Sequence, residues 1–169
     1  MQSEITYKSI GFIRTPFTTI SDMPIQSSGA SGISGFIDLN IDLLEGLTDL
    51  DGFSHLILLY HFHLVNESKL SVIPFMDDKP HGIFATRAPV RPNTIGISIV
   101  KLQKIENNLI YFEGADMVDN SPLLDIKPFF PKYDNQQNVK FGWLEGKGDI
   151  DITKMKSDSR FDTLQNVNV

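Results

Sequence analysis

The sequence contains no cysteine. That excludes disulfides, thiolate metal sites and a cysteine nucleophile, and it fits an expected cytoplasmic location. No apolar run approaches the length of about 18 residues that a membrane-spanning helix needs. The opening stretch, Met1 to Lys8, is polar and holds no hydrophobic signal core. The dinucleotide fingerprint is missing as well. Gly29, Gly32 and Gly35 follow a G-x-x-G-x-x-G spacing, but no strand directly precedes them, so the segment Ser21 to Gly35 is read as a flexible loop. No internal repeat is present. No amphipathic helix longer than about ten residues precedes residue 140.

What remains is an ordinary globular composition, 41% apolar and 21% charged over 169 residues, enough for one domain with a short appendage. The net charge of -6 argues mildly against a nucleic-acid partner. Its distribution softens that objection. Residues 1–80 carry four Lys and Arg against ten Asp and Glu, whereas residues 81–133 carry six against five. An RNA surface would therefore involve the second half or a partner chain, because a local patch decides phosphate contact.

Short apolar segments separated by Gly and Pro predict strands over Ile5–Ile13, Ile33–Leu39, His55–Val65, Leu70–Phe75, Ile95–Ile105, Leu109–Glu113 and Leu123–Lys127. Ile41–Leu47 has room for one or two helical turns. Asn107-Asn108 suits a tight hairpin, since Asn tolerates positive φ. Many short strands at close spacing give a mainly β chain, an antiparallel barrel or sandwich. The division expected is a catalytic unit over 1–134, then a polar linker and tail over 135–169 that packs weakly or meets a partner.

Three stretches could carry chemistry. On the histidine strand, alternation puts His55, Ile57, Leu59, His61 and His63 on one face and Leu56, Leu58, Tyr60, Phe62 and Leu64 on the other. His61 and His63 could be satisfied structural imidazoles, substrate or cofactor contacts, or half of a metal site whose remaining ligands are missing. The second stretch, Gly82 to Gly96, holds Arg87 and Arg91 in a loop stiffened by Pro89 and Pro92. A stiff loop can aim a guanidinium fork at a carboxylate or phosphate, or simply leave it solvated. In the third, Asp116 to Pro128, Asp119-Asn120-Ser121-Pro122 is good turn chemistry that needs no function, Asp125 and Lys127 share a strand face and could pair, and the acidic and small polar groups could also contact an amine or ribose.

Gly11-Phe12-Ile13-Arg14-Thr15-Pro16-Phe17, Phe53-Ser54-His55-Leu56, Phe84-Ala85-Thr86-Arg87 with Arg91-Pro92-Asn93, Asp119-Asn120-Ser121-Pro122 and Asp125-Ile126-Lys127-Pro128 occur in that order. Together they resemble the TrmO family of tRNA threonylcarbamoyladenosine methyltransferases over roughly residues 8–134. The resemblance implies a compact antiparallel β-barrel with short helical turns and a small C-terminal appendage. It implies S-adenosyl-L-methionine as methyl donor, with no metal, and a homodimer whose donor site lies near the subunit contact. It places donor contacts on Pro24, Ile25, Gln26, His61, Phe62, Arg91, Leu102, Asp119, Asn120, Ser121 and Pro122. The family pattern differs at three points: Pro24-Ile25-Gln26-Ser27 stands for Pro-Arg-Gln-Pro, Thr94 for Pro, and Asn120-Ser121 for Gly-Thr.

The implied substrate is tRNA carrying threonylcarbamoyladenosine beside the anticodon. A sulfonium donor is already reactive, so alignment and exclusion of water are the enzyme's main tasks. The acceptor nitrogen must lose a proton, for which His61, His63 and Asp119 are the candidate bases, or the substrate itself. Arg87 and Lys127, with Arg91, are candidates for the threonyl carboxylate or the RNA backbone. Two rival readings are a non-catalytic barrel that binds S-adenosylmethionine or RNA, and a metal-dependent barrel enzyme built on the histidine strand.

Overall fold

A computed structural model describes residues 3–21, 23–147, 151 and 155–162. Its centre is a closed antiparallel barrel of six strands. In chain order the strands of the structure are β1 (Gly11–Arg14), β2 (Ser34–Leu39), β3 (His55–His61), β4 (Ser71–Val72), β5 (His81–Gly82), β6 (Ile95–Glu106), β7 (Leu109–Glu113) and β8 (Ser121–Pro128). Around the barrel the order is β1-β2-β7-β6-β3-β8, closing back on β1, while β4 and β5 form a separate two-stranded ribbon. Ile41–Leu47 makes two turns of 3-10 helix, and one short α-helical turn follows the barrel at Pro131–Asp134.

The alternation expected for β3 is what closes the barrel. Leu56, Leu58 and Tyr60 point inward to meet Ile13, Ile37, Val100, Ile110, Phe112 and Leu123, all buried. Each such side chain contributes about 1.5–3 kcal/mol when taken out of water. The inner face of β6 is built differently. It offers Gly96, Ser98 and Val100 to the interior. Gly96 lies opposite Tyr60, and a Cβ there would come within 2.5 Å of the Tyr60 ring. The missing side chain leaves the space into which Tyr60 folds.

Several boundaries differ from the sequence expectation. The first strand begins at Gly11, because pairing to Leu39 on one side and Leu123 on the other starts there. The histidine strand stops at His61, where its partner β6 begins at Ile95. The expected Leu70–Phe75 strand shrinks to two residues outside the barrel. Pro74 lies just beyond and cannot donate to a ladder. The hairpin at Asn107 forms as expected, with φ of 54°.

The described tail residues pack more firmly than expected. Phe161 is buried in a second apolar cluster with Val72, Ile83, Ala88 and Val90. Trp143 stacks on His81 with ring centroids 4.4 Å apart and donates its indole N–H to the Ala85 carbonyl at 2.7 Å. Two large aromatic side chains with apolar ground to cover outweigh the polar character of the surrounding tail.

Candidate functional site

Where β3 ends and the chain leaves the barrel lies a small cleft, about 70 Å³ in volume and partly open to solvent. Tyr60, Phe62, His63, Leu64, Val65 and Pro89 line one part of it. Ile20, Met23, Asp116, Met117, Val118 and Ser121 line the rest. Its apolar lining with a few polar groups has the chemical character of a small-molecule site.

Phe62 is fixed by its amide, which donates to the Thr94 carbonyl at 2.8 Å, and by an edge-on contact with Tyr60. His63 follows on the cleft wall, with Nδ1 3.5 Å from the Ser121 hydroxyl. Burial lowers the His63 pKa below the ordinary imidazole value, the neighbouring His61 lowers it further, and Asp119 opposes both. His63 is therefore neutral at neutral pH and able to accept a proton. His61 points to the outer face, and its Nδ1 lies 3.0 Å from the Thr94 hydroxyl. A proline at position 94 could not make that bond.

Asp119 serves the chain itself. Its carboxylate accepts from the Thr15 amide at 3.0 Å and lies 3.6 Å from the Arg14 guanidinium. Asn120 takes φ of 65°, a left-handed conformation that Asn tolerates, and its side-chain carbonyl accepts from Arg14. Ser121 is buried and donates to the Val118 carbonyl at 2.8 Å. Pro122 follows as the β8 partner of Phe12. The loop before β8 is thus clamped onto the end of β1.

Among the donor contacts carried over from the resemblance, Phe62 and Ser121 reach the cleft wall. Pro24, Ile25 and Gln26 directly follow the cleft residue Met23. Arg91 is turned onto its own loop. Its Nη1 donates to the carbonyls of Thr86 at 2.9 Å, Ile83 at 3.2 Å and Ala88 at 3.4 Å. Leu102 lies at the opposite end of the barrel, where its amide donates to the Ser54 carbonyl. Seven steps along β6 carry the chain from Ile95 to Leu102, about 23 Å of strand. Lys127 is paired with Asp125 at 2.7 Å on the outer face beside Ile57.

Asp116 opens the third of the stretches that could carry chemistry. Its Oδ1 accepts from the Ser98 hydroxyl at 2.6 Å, and Ser98 is 3.1 Å from the Tyr60 hydroxyl. Burial raises the Asp116 carboxyl pKa to about 6, against hydrogen bonds from Ser98 and backbone amides and the nearby charge of Arg87. Burial, and then the Asp116 charge, push the Tyr60 phenol above its ordinary value. Only the fold shows this cluster, since it joins two strands and a loop. Among the described residues, no three His, Asp or Glu side chains gather as a metal site, and no helix is long and apolar enough to cross a membrane.

The family model described as the tRNA-methyltransferase O N-terminal domain matches residues 12–135. A probable S-adenosyl-L-methionine-binding protein of Pyrococcus abyssi is 46% identical over 160 residues, covering 95% of this chain and 86% of its own. The human tRNA (adenine(37)-N6)-methyltransferase is 32% identical over 91% of this chain. This chain covers 37% of the human protein. The crystal structure of TrmO from Pseudomonas aeruginosa superimposes with a TM-score of 0.69 at 33% identity, covering 83% of this chain and 62% of that one. The chain thus spans less than two thirds of the last two proteins.

Proposed function

Because the chain belongs to the TrmO family, we propose that it methylates tRNA, using S-adenosylmethionine, on the exocyclic nitrogen of a threonylcarbamoyl-modified adenosine beside the anticodon. The observation that carries this reading is the cleft at the end of β3, inside the matched family domain and walled by Phe62, His63, Asp116 and Ser121. The residues fit the donor. Apolar and aromatic walls suit an adenine, and a carboxylate in a poorly solvated wall favours a cation. Bound there, S-adenosylmethionine supplies an electrophilic methyl group on a sulfonium.

The chain's own part is to orient the reactants, exclude water and take up a proton. His63 is the base on this reading. It lines the cleft and is kept neutral by burial. His61 is engaged by Thr94, and Asp119 by Arg14 and the Thr15 amide. Arg87, exposed and close enough to Asp116 to act on its charge, is the cation for the threonyl carboxylate. Purified protein should bind S-adenosylmethionine after chelator treatment and transfer methyl groups to threonylcarbamoyl-modified tRNA. Nucleoside mass spectrometry of the tRNA reads the transfer. Donor binding without transfer would support the rival reading, a non-catalytic binding barrel, and loss of binding on chelation would support the metal-dependent one.

The proposal includes a homodimer. The outer face of the barrel carries Ile95, Ile97 and Ile99 on β6, each at least 41% exposed, beside Ile57 and Leu59 on β3. A row of exposed isoleucines on a sheet is costly to leave in water and marks a contact surface. A second copy would also explain how Leu102 could reach a donor bound some 23 Å along the strand. Ile97→Glu should therefore convert a dimer to a monomer in sedimentation velocity with little change in melting temperature. A wild-type protein that sediments as a monomer at micromolar concentration would remove this part of the reading.

A further inference from the structure

The family domain ends near residue 135, yet one side chain well beyond it reaches the cleft wall. The Ser157 amide donates to the Met23 carbonyl at 2.8 Å, and the Met23 amide donates to the Ser157 hydroxyl oxygen at 3.1 Å. The same hydroxyl donates to the Ile20 carbonyl. Lys156 forms an antiparallel bridge with Pro24. Ile20 and Met23 both line the cleft, and Pro24 opens the segment assigned to the donor.

We propose that Ser157 is a positioning residue that holds Ile20, Met23 and Pro24 as a wall of the donor site, so that the tail completes the site from outside the family domain. The direction of the support follows from the other anchors. Phe161 is buried in the second cluster, the Arg160 guanidinium donates to the Pro74 carbonyl at 3.1 Å, and Trp143 is bonded to Ala85. Trp143, Arg160 and Phe161 are therefore anchored without Ser157, whereas Ser157 ties both Ile20 and Met23 down. A hydroxyl suits this place because it accepts from one backbone group while donating to another. Alanine keeps the amide bond to Met23 and loses both hydroxyl bonds. Threonine keeps the hydroxyl.

The inference rests on the cleft's being the donor site, so two readouts are needed, both on the full chain. The first is amide hydrogen exchange at Met23 in the absence of donor. Ser157→Ala should speed it roughly tenfold, and Ser157→Thr should restore it. The second is calorimetric titration with S-adenosylmethionine. Ser157→Ala should weaken binding roughly tenfold while kcat at saturating donor and the melting temperature stay near wild type. Unchanged exchange at Met23 overturns the strap. Faster exchange with unchanged affinity overturns its role in positioning. A wild-type chain that binds no donor overturns the functional reading, and the exchange measurement still decides whether Ser157 holds the wall.

Discussion

Replacing Asp116 by Asn is expected to remove a pH-dependent loss of stability of roughly 3 kcal/mol between pH 4 and pH 7. The carboxyl holds its proton up to about pH 6 in the fold, against an ordinary value of 3.8. The folded state therefore binds more protons than the unfolded state across that interval. Asp116 favours the fold most below pH 4, and that contribution is lost as the pH rises through 6. Other groups act differently. Asp77 and Asp158 have lowered pKa values, so what they contribute is lost only below their ordinary range. His63, also lowered, makes stability rise with pH just below its ordinary value. All three are present in both proteins, so the difference between wild type and Asp116→Asn isolates Asp116. Urea unfolding at half-unit steps from pH 4 to pH 8 measures it. Parallel curves for the two proteins would show that the carboxyl is not perturbed. The Tyr60 phenol provides a second check. Without the neighbouring charge it should ionise at lower pH in an ultraviolet titration.

A carboxyl kept where its charge is disfavoured makes sense if a cation is to sit beside it. On the proposed function, donor affinity should rise with pH as Asp116 ionises, and Asp116→Asn should bind weakly without that rise. The Ser98 and Tyr60 hydroxyls hold the group at the wall, so the field acting on the cation comes from a fixed direction.

Much of this arrangement is legible in the sequence because it follows from local rules. The alternation of His55 to His61 assigns the inward and outward faces of β3, and the Asp125–Lys127 ion pair follows from two residues on one face. Asn120 announces its own left-handed turn. What is not legible depends on distant partners. Ser98 and Asp116 meet only when β6 folds back through β7, and Ser157 finds Met23 across 134 positions of chain. No periodicity reports either contact. The position of Leu102 shows the same limit. Its distance from the cleft is a matter of barrel geometry and is invisible in a list of matched positions. Departures from the family pattern become intelligible in the fold. Thr94 and Asn120 each form a side-chain bond, to His61 and Arg14, that the usual proline and glycine could not.

Arg91→Ala is expected to lower the melting temperature by roughly 5 °C, on the order of 2 kcal/mol. The sequence suggests a guanidinium aimed by Pro89 and Pro92 at a ligand. In that case Lys and Ala would damage activity alike while stability barely moved. The structure shows the fork turned inward, with one nitrogen bonded to three carbonyls of the turn Ile83–Ala88. Those carbonyls lose a charged donor when the side chain is removed. Lysine can supply an ammonium to one or two of them, so Arg91→Lys should fall between wild type and Arg91→Ala in thermal stability. Donor affinity should follow the same order through packing. Val90 is buried in the second cluster, its carbonyl accepts from Lys69 at 2.9 Å, and Pro89 lines the cleft. Loosening the turn therefore shifts the wall that Pro89 provides. Thermal denaturation and donor titration of the three proteins separate the two geometries. An Arg91→Ala chain that melts like wild type but no longer binds donor would return Arg91 to the ligand, whereas graded melting with graded affinity assigns it to the loop that shapes the cleft.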